Sequence, residues 1–306
     1  MSACFICLEP LQEGRYHPRC IRDLFGTGHL PTIDVEIAKL HTLALAMVGH
    51  TTLSGIQRKI SLRLEAENRT LQVATEGGRF ILKPQAQTFP HLPENEHVTM
   101  RMAAQVGIVV PPCGLILLKD ESLAYVVRRF DRTDDGRKLL QEDFCQLARQ
   151  SPKDKYNGSS ELCAKLVNRY ASAPGVEAAR LFRLMAFVWW TGNGDMHLKN
   201  FSLLRGTDGN YRLSPAYDLL STRLVIPDDL LALSVEGNKK NVTRRQWLAY
   251  AEHCRVPPRA AARVLEEVGA KVDACAATIE RSALPAEMKA DYTALIRTRG
   301  AALVGP

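Results

Sequence analysis

At 306 residues the chain is long enough for one large two-lobed domain or two ordinary domains, each with its own core. Hydrophobic residues at 46% and charged residues at 24% exclude a disordered or fibrous class. The net charge of +7 favours anionic partners, but the basic residues are dispersed apart from Lys239-Lys240 and Arg244-Arg245, so a dedicated nucleic-acid arm is not expected.

The first 30 residues stand apart. Cys4-Phe5-Ile6-Cys7 is followed by His17-Pro18-Arg19-Cys20 and a glycine-rich exit at Phe25-Gly26-Thr27-Gly28. Three thiolates and one imidazole make a complete tetrahedral set, so Cys4, Cys7, His17 and Cys20 are expected to hold a structural Zn²⁺. The closed ligand count argues against a catalytic metal. A redox CxxC is disfavoured because no βαβ context follows. The other five cysteines of the eight (Cys113, Cys145, Cys163, Cys254, Cys275) fall in apolar or helical contexts and are expected as buried thiols.

Residues 35–48 have helical spacing, with Ile37, Leu40, Leu43 and Met47 on one face. Next comes Ser54-Gly55-Ile56-Gln57-Arg58-Lys59, a short loop whose backbone amides and basic side chains could cradle phosphates. A strand-rich section runs from about 60 to 129. Within it, Leu71 to Ala74, a turn at Glu76-Gly77-Gly78, and Arg79 to Lys83 predict a hairpin ending on Lys83. A proline-containing loop leads to a helix over 95–106, where Glu96 could hold the Lys83 ammonium. Leu115 to Leu118 and Leu123 to Val127 predict a strand pair around Asp120-Glu121.

Beyond Asp131 the periodicity is helical, over roughly 140–150, 159–171, 175–190, 244–254, 257–281 and 285–298. The expected fold is α+β and two-lobed, protein-kinase-like, with a β-rich N-lobe and an all-helical C-lobe. Its expected boundaries are 1–30 for the knuckle, 31–130 for the N-lobe and 131–306 for the C-lobe, with a cleft between lobes. No apolar stretch is long enough to span a bilayer, and the start lacks a basic segment followed by an apolar run. A cytoplasmic protein with no membrane partner is expected.

Polar chemistry concentrates in Gly192-Asn193-Gly194-Asp195-Met196-His197-Leu198-Lys199-Asn200, after an apolar segment ending in Trp189-Trp190. Phosphoryl transfer needs a carboxylate to take the hydroxyl proton and an amide oxygen on Mg²⁺, and kinase loops place these five residues apart. Asp195 and Asn200 have that spacing. A second carboxylate should carry most of the metal, and Asp218 in Leu213-Ser214-Pro215-Ala216-Tyr217-Asp218 is the natural candidate.

Ser54 to Leu62, Ile81-Leu82-Lys83-Pro84, Asn95-Glu96-His97, Val126 to Arg132, Gln141-Glu142-Asp143-Phe144, Asp195 to Ser202 and Pro215 to Thr222 follow one known order and spacing. In these seven blocks the chain resembles the HipA-type serine/threonine kinases, toxins of bacterial toxin–antitoxin systems. The resemblance implies that Asp195 is the catalytic base, that Asn200 and Asp218 hold Mg²⁺, and that Lys83 contacts ATP. It further implies that Ser54, Gly55, Ile56, Gln57, Arg58 and Lys59 form the phosphate loop, and that Arg128, Arg129 and Phe130 form the adenine-reading hinge. His197, Lys199 and Tyr217 then border the nucleotide. Thr52 and Ser54 match the family's autophosphorylation positions.

Only about 50 residues precede the phosphate loop, too few for the N-terminal subdomain of long members. The chain is therefore similar to the compact, HipT-like form of three-component systems, whose partners are a small HipS-like protein and a DNA-binding HipB-like antitoxin. Contact with DNA would then be indirect, and the substrate a protein, with an aminoacyl-tRNA synthetase the family precedent. Two alternatives stand: a small-molecule phosphotransferase of the kinase superfamily, and a non-catalytic zinc-bearing adaptor.

Overall fold

The computed structural model describes residues 2–33, 58–65, 69–86, 88–133 and 135–305. The helix expected over 35–48, and Thr52, Ser54, Gly55, Ile56 and Gln57, lie outside the described residues. The chain divides into two compact units: Met1–Arg101 with Pro111–Lys138 and Glu280–Leu284, and Met102–Val110 with Leu139–Ile279 and Pro285–Pro306.

The first unit is built on a six-stranded sheet. Its strands are β3 (Thr32–Ile33), β4 (Ile60–Leu64), β5 (Thr70–Val73), β6 (Phe80–Pro84), β7 (Cys113–Leu117) and β8 (Leu123–Arg128), in the order β3-β5-β4-β6-β8-β7. All pairings are antiparallel except β3 with β5. Alternation sets the faces: Ile60, Leu62, Phe80 and Leu82 join one core cluster, and the intervening residues point away. The amino-terminal segment shares this core. It comprises β1 (Ser2–Ala3) paired with β2 (Pro10–Leu11), and helix α1 (Pro18–Phe25). Cys4, Ile6, Leu11, Leu24 and Phe25 are buried in the same cluster as the sheet residues.

The strand pair around Asp120-Glu121 forms as expected, as β7 and β8. The hairpin expected between Leu71–Ala74 and Arg79–Lys83 does not. Strand β4 lies between β5 and β6 and pairs with both, so the Glu76-Gly77-Gly78 turn crosses β4 instead of folding back. A Cβ on Gly78 would sit 1.9 Å from Ser61 Oγ, and the bonds Ala74 N–H to Ser61 O and Arg79 N–H to Leu62 O, both 2.9 Å, pin the crossing to β4. Helix α2 (Leu92–Gln105) follows β6 and begins three residues before the expected start; its last four residues belong to the second unit.

The second unit is helical, with α3 (Phe144–Leu147), α4 (Ser160–Tyr170), α5 (Pro174–Thr191), α6 (Arg244–His253), α7 (Pro258–Gly269), α8 (Val272–Glu280) and α9 (Ala286–Val304). Helix α5 is its axis. From Leu181 to Thr191 only Arg183 is not buried, as expected for a helix covered on all sides. Phe182 stacks on Tyr250 at 5.8 Å, and Trp190 Nε1 donates to Ile296 O at 2.7 Å.

Two refinements apply to the helical half. It carries a small sheet, β11-β10-β9, made of β9 (Gln141–Asp143), β10 (Ser202–Arg205) and β11 (Tyr211–Leu213). Residues 140–150 are therefore a strand running into one helical turn, so the C-lobe is not helical throughout. The expected helix over 257–281 breaks at Ala270-Lys271 into α7 and α8. No described helix is long and apolar enough to cross a membrane.

Candidate active site

In the second unit the core helix delivers the polar loop. Helix α5 stops at Gly192, left-handed at φ 72°, whose N–H donates to Trp189 O. The following turn is held from inside. Asn193 Oδ1 accepts the Asp195 N–H at 3.0 Å, and Asn200 Nδ2 donates to Asp195 O at 2.9 Å. The N–H of His197 also reaches Asp195 O, at 2.8 Å. Asp195 and Asn200 are both buried, at 7% and 6% exposure. Because the Asn200 amide nitrogen is engaged by the loop, its amide plane is fixed and its oxygen is the atom available to a cation.

Asp218 is joined to this loop by the amide of Asn193, which donates to Asp218 O at 3.3 Å. Its backbone is left-handed, at φ 56°, a conformation that non-glycine residues adopt at some cost and that clusters at functional positions. Four residues on, Thr222 Oγ accepts the Gly194 N–H at 2.7 Å and also contacts Gly192 O and Asp229. The two segments expected to carry the chemistry are thus stitched together by Asn193 and Thr222.

Tyr156 was not anticipated. It lies between α3 and α4, and its hydroxyl donates to Asp195 Oδ1 at 2.5 Å while its ring meets His197 edge-on at 5.0 Å. Lys199 turns to Asp143 on β9, at 2.9 Å. The Tyr217 hydroxyl donates to Lys199 O at 3.0 Å, and desolvation of the half-buried ring pushes its phenol well above the usual range, so it stays protonated and serves as a donor.

In the first unit, Lys83 and Glu96 form the expected pair, Nζ to Oε1 at 2.5 Å, with side chains 4% and 1% exposed. The Lys83 ammonium also lies 5.4 Å from the centre of the Tyr125 ring. Arg58 and Lys59 immediately precede β4. In the segment expected as a hinge, the backbone N–H groups of Arg128 and Arg129 donate to Pro112 O and Arg79 O. The Arg129 guanidinium forks onto Asp131 at 2.7 and 2.8 Å.

The structure brings Cys4, Cys7, His17 and Cys20 together, with ligand atoms within 4.8 Å of one another. Burial raises the Cys4 thiol, but backbone N–H groups of Cys7, His17 and Ile6 outweigh it and leave Cys4 below the usual thiol range. The remaining five cysteines are buried, as expected. Burial pushes Cys113 up to about 11 and Cys275 up to about 12, which marks them as inert thiols.

The family model described as the HipA-like C-terminal domain matches residues 51–276. A Haemophilus influenzae protein named "Putative kinase" is 28% identical over 263 residues, 78% of this chain and 76% of that protein. The "Serine/threonine-protein kinase toxin HipA" of Shewanella oneidensis is 28% identical over 194 residues, 56% of this chain and 43% of that protein. The solved structure of Shewanella oneidensis HipA with HipB and its operator DNA matches with a TM-score of 0.69 at 22% identity, covering 82% of this chain and 64% of that one. The fold is therefore of the HipA kinase type. The chain spans less than two thirds of the length of that toxin.

Proposed function

Because the chain belongs to the HipA-like C-terminal domain family, we propose that it is a Mg-ATP-dependent serine/threonine protein kinase, the toxin of a HipA-type toxin–antitoxin system. The observation that carries this reading is the loop that fixes Asp195 and Asn200 five residues apart with Asp218 tethered to Asn193. Asp195, oriented by Tyr156, accepts the proton of the substrate hydroxyl as the hydroxyl oxygen bonds to the γ-phosphorus of ATP and the bond from that phosphorus to the β–γ bridging oxygen breaks, releasing ADP. The Asp218 carboxylate and the Asn200 amide oxygen are hard donors that fit Mg²⁺, which neutralises the phosphate oxygens during transfer. Lys83, held by Glu96, is the cation for the α and β phosphates.

The substrate is a protein hydroxyl, with a translation enzyme such as an aminoacyl-tRNA synthetase as the leading class. Self-modification falls on Thr52 or Ser54, where an added phosphate would repel those of ATP from the adjoining phosphate loop. A DNA-binding HipB-like antitoxin and a small HipS-like protein are the proposed partners, so contact with DNA is indirect.

Calorimetry with a non-hydrolysable ATP analogue, with and without Mg²⁺, tests the metal assignment. Asp218→Asn is expected to weaken Mg²⁺-dependent binding about tenfold or more while leaving metal-free binding unchanged. Equal Mg²⁺ dependence in the variant would remove Asp218 from the site.

A further inference from the structure

The Cys/His cluster is not a detached appendage. In a tetrahedral Zn²⁺ site with sulfur and imidazole ligands, S···N edges come to about 3.6 Å and S···S edges to about 3.8 Å. His17 Nδ1 stands 3.3 Å from Cys7 Sγ and 3.9 Å from Cys20 Sγ, which brackets the S···N edge. The His17 N–H points at Cys4 Sγ at 3.4 Å, an orientation that stabilises a thiolate. His17 caps α1 and Cys20 lies in its first turn, while Cys4 and Cys7 flank a tight loop closed by Leu8 N–H to Cys4 O at 2.9 Å. Four ligands from two elements thus converge on a single point.

That loop is in turn pressed into the sheet and into α2. Phe5 O accepts the Leu115 N–H of β7 at 2.7 Å, and the Tyr16 hydroxyl donates to Leu115 O at 3.1 Å. The approach is close enough that a Cβ on Gly114 would lie 2.7 Å from Ile6 Cγ1 and 3.1 Å from Phe5 O. Ile6 O, between the two cysteines, accepts from His97 Nε2 at 2.9 Å. His97 is 1% exposed and follows Glu96 directly on α2. Arg281 closes the outer side, with Nε on Leu8 O at 2.7 Å.

We propose that Cys4, Cys7, His17 and Cys20 hold one structural Zn²⁺, and that the closed metal loop braces helix α2 through Ile6 O and His97, fixing the residue that pairs with Lys83. With all four positions filled by protein, the ion has no open site for catalysis and contributes by fixing the loop. The inference rests on the kinase reading only for the importance of Glu96, because the metal and the brace are measured without phosphoryl transfer.

The test is metal analysis of the full chain combined with amide hydrogen exchange over 92–101. The wild type is expected to carry one Zn²⁺ per chain, and Cys20→Ser to lose it. Should that variant not fold, chelator stripping of the wild type followed by Co²⁺ addition serves instead, the expected result being the absorption of tetrahedral thiolate-bound cobalt. Stripping should speed exchange in 92–101 about tenfold or more, reversed by Zn²⁺. His97→Phe should keep the metal yet show the faster exchange. A Cys4–Cys7 disulfide with no metal would overturn the site, and unchanged exchange after stripping would overturn the brace.

Discussion

Asp195→Asn is expected to lower phosphoryl transfer by about 10²- to 10⁴-fold, the usual contribution of a positioned general base, with nucleotide affinity nearly unchanged. The substitution keeps the side chain's shape and an oxygen that can accept from Tyr156, while the backbone bonds of Asp195 to Asn193, His197 and Asn200 do not involve its carboxylate. What is lost is the charged, basic carboxylate, which also faces His197 Nε2 at 4.0 Å. The residues proposed to bind the nucleotide are untouched by the substitution, so on that proposal the defect should appear in kcat and not in binding. Single-turnover transfer from labelled ATP beside calorimetric binding separates the two. A variant that transfers phosphate at the wild-type rate would show that Asp195 is not the base.

Lys83→Met should damage both stability and function, by separate routes. The Glu96 side chain is 1% exposed and its carboxylate meets the Lys83 ammonium at 2.5 Å. Removing the cation leaves a buried carboxylate without its counter-charge, which costs about 3–5 kcal/mol. The double variant Lys83→Met/Glu96→Gln removes both charges and should recover most of that loss in chemical denaturation. On the proposal that Lys83 is the cation for the ATP phosphates, neither variant should bind ATP tightly. A double variant as unstable as the single one would mean that the pair is not what stabilises this region.

Much of the site is legible in the sequence because its parts are short-range. Asp195 and Asn200 share one loop at fixed spacing, and Asp218 follows the short β10–β11 hairpin, so residue type and separation are enough to single them out as candidates. Lys83 and Glu96 are nearly as local, on adjacent elements. Tyr156 was invisible for the opposite reason: it reaches Asp195 from 39 residues upstream, in a stretch with no periodicity, and a lone tyrosine carries no spacing signal. Thr222 was present in a recognised block, but its part as the hydroxyl joining Gly194 to Asp229 depends on tertiary placement.

The fold shows the same division. Strand alternation at Ile60–Leu64 and Phe80–Pro84 identifies the faces of the sheet, yet strand order is a long-range property. A Gly-Gly turn between two apolar runs suits a hairpin, and nothing local reveals that β4 intervenes. Gln141–Asp143 read as helix because the strand is three residues long and runs directly into the Phe144 turn. The division of 257–281 at Ala270-Lys271 also escapes periodicity, since both pieces keep helical spacing.

The central claim is most directly tested by incubating the wild-type protein with γ-labelled ATP, Mg²⁺ and a bacterial cell extract, followed by phosphosite mapping. The account predicts Mg²⁺-dependent label on serine or threonine of one or a few proteins, among them this chain at Thr52 or Ser54. Label confined to small molecules, or nucleotide bound with no transfer, would contradict it.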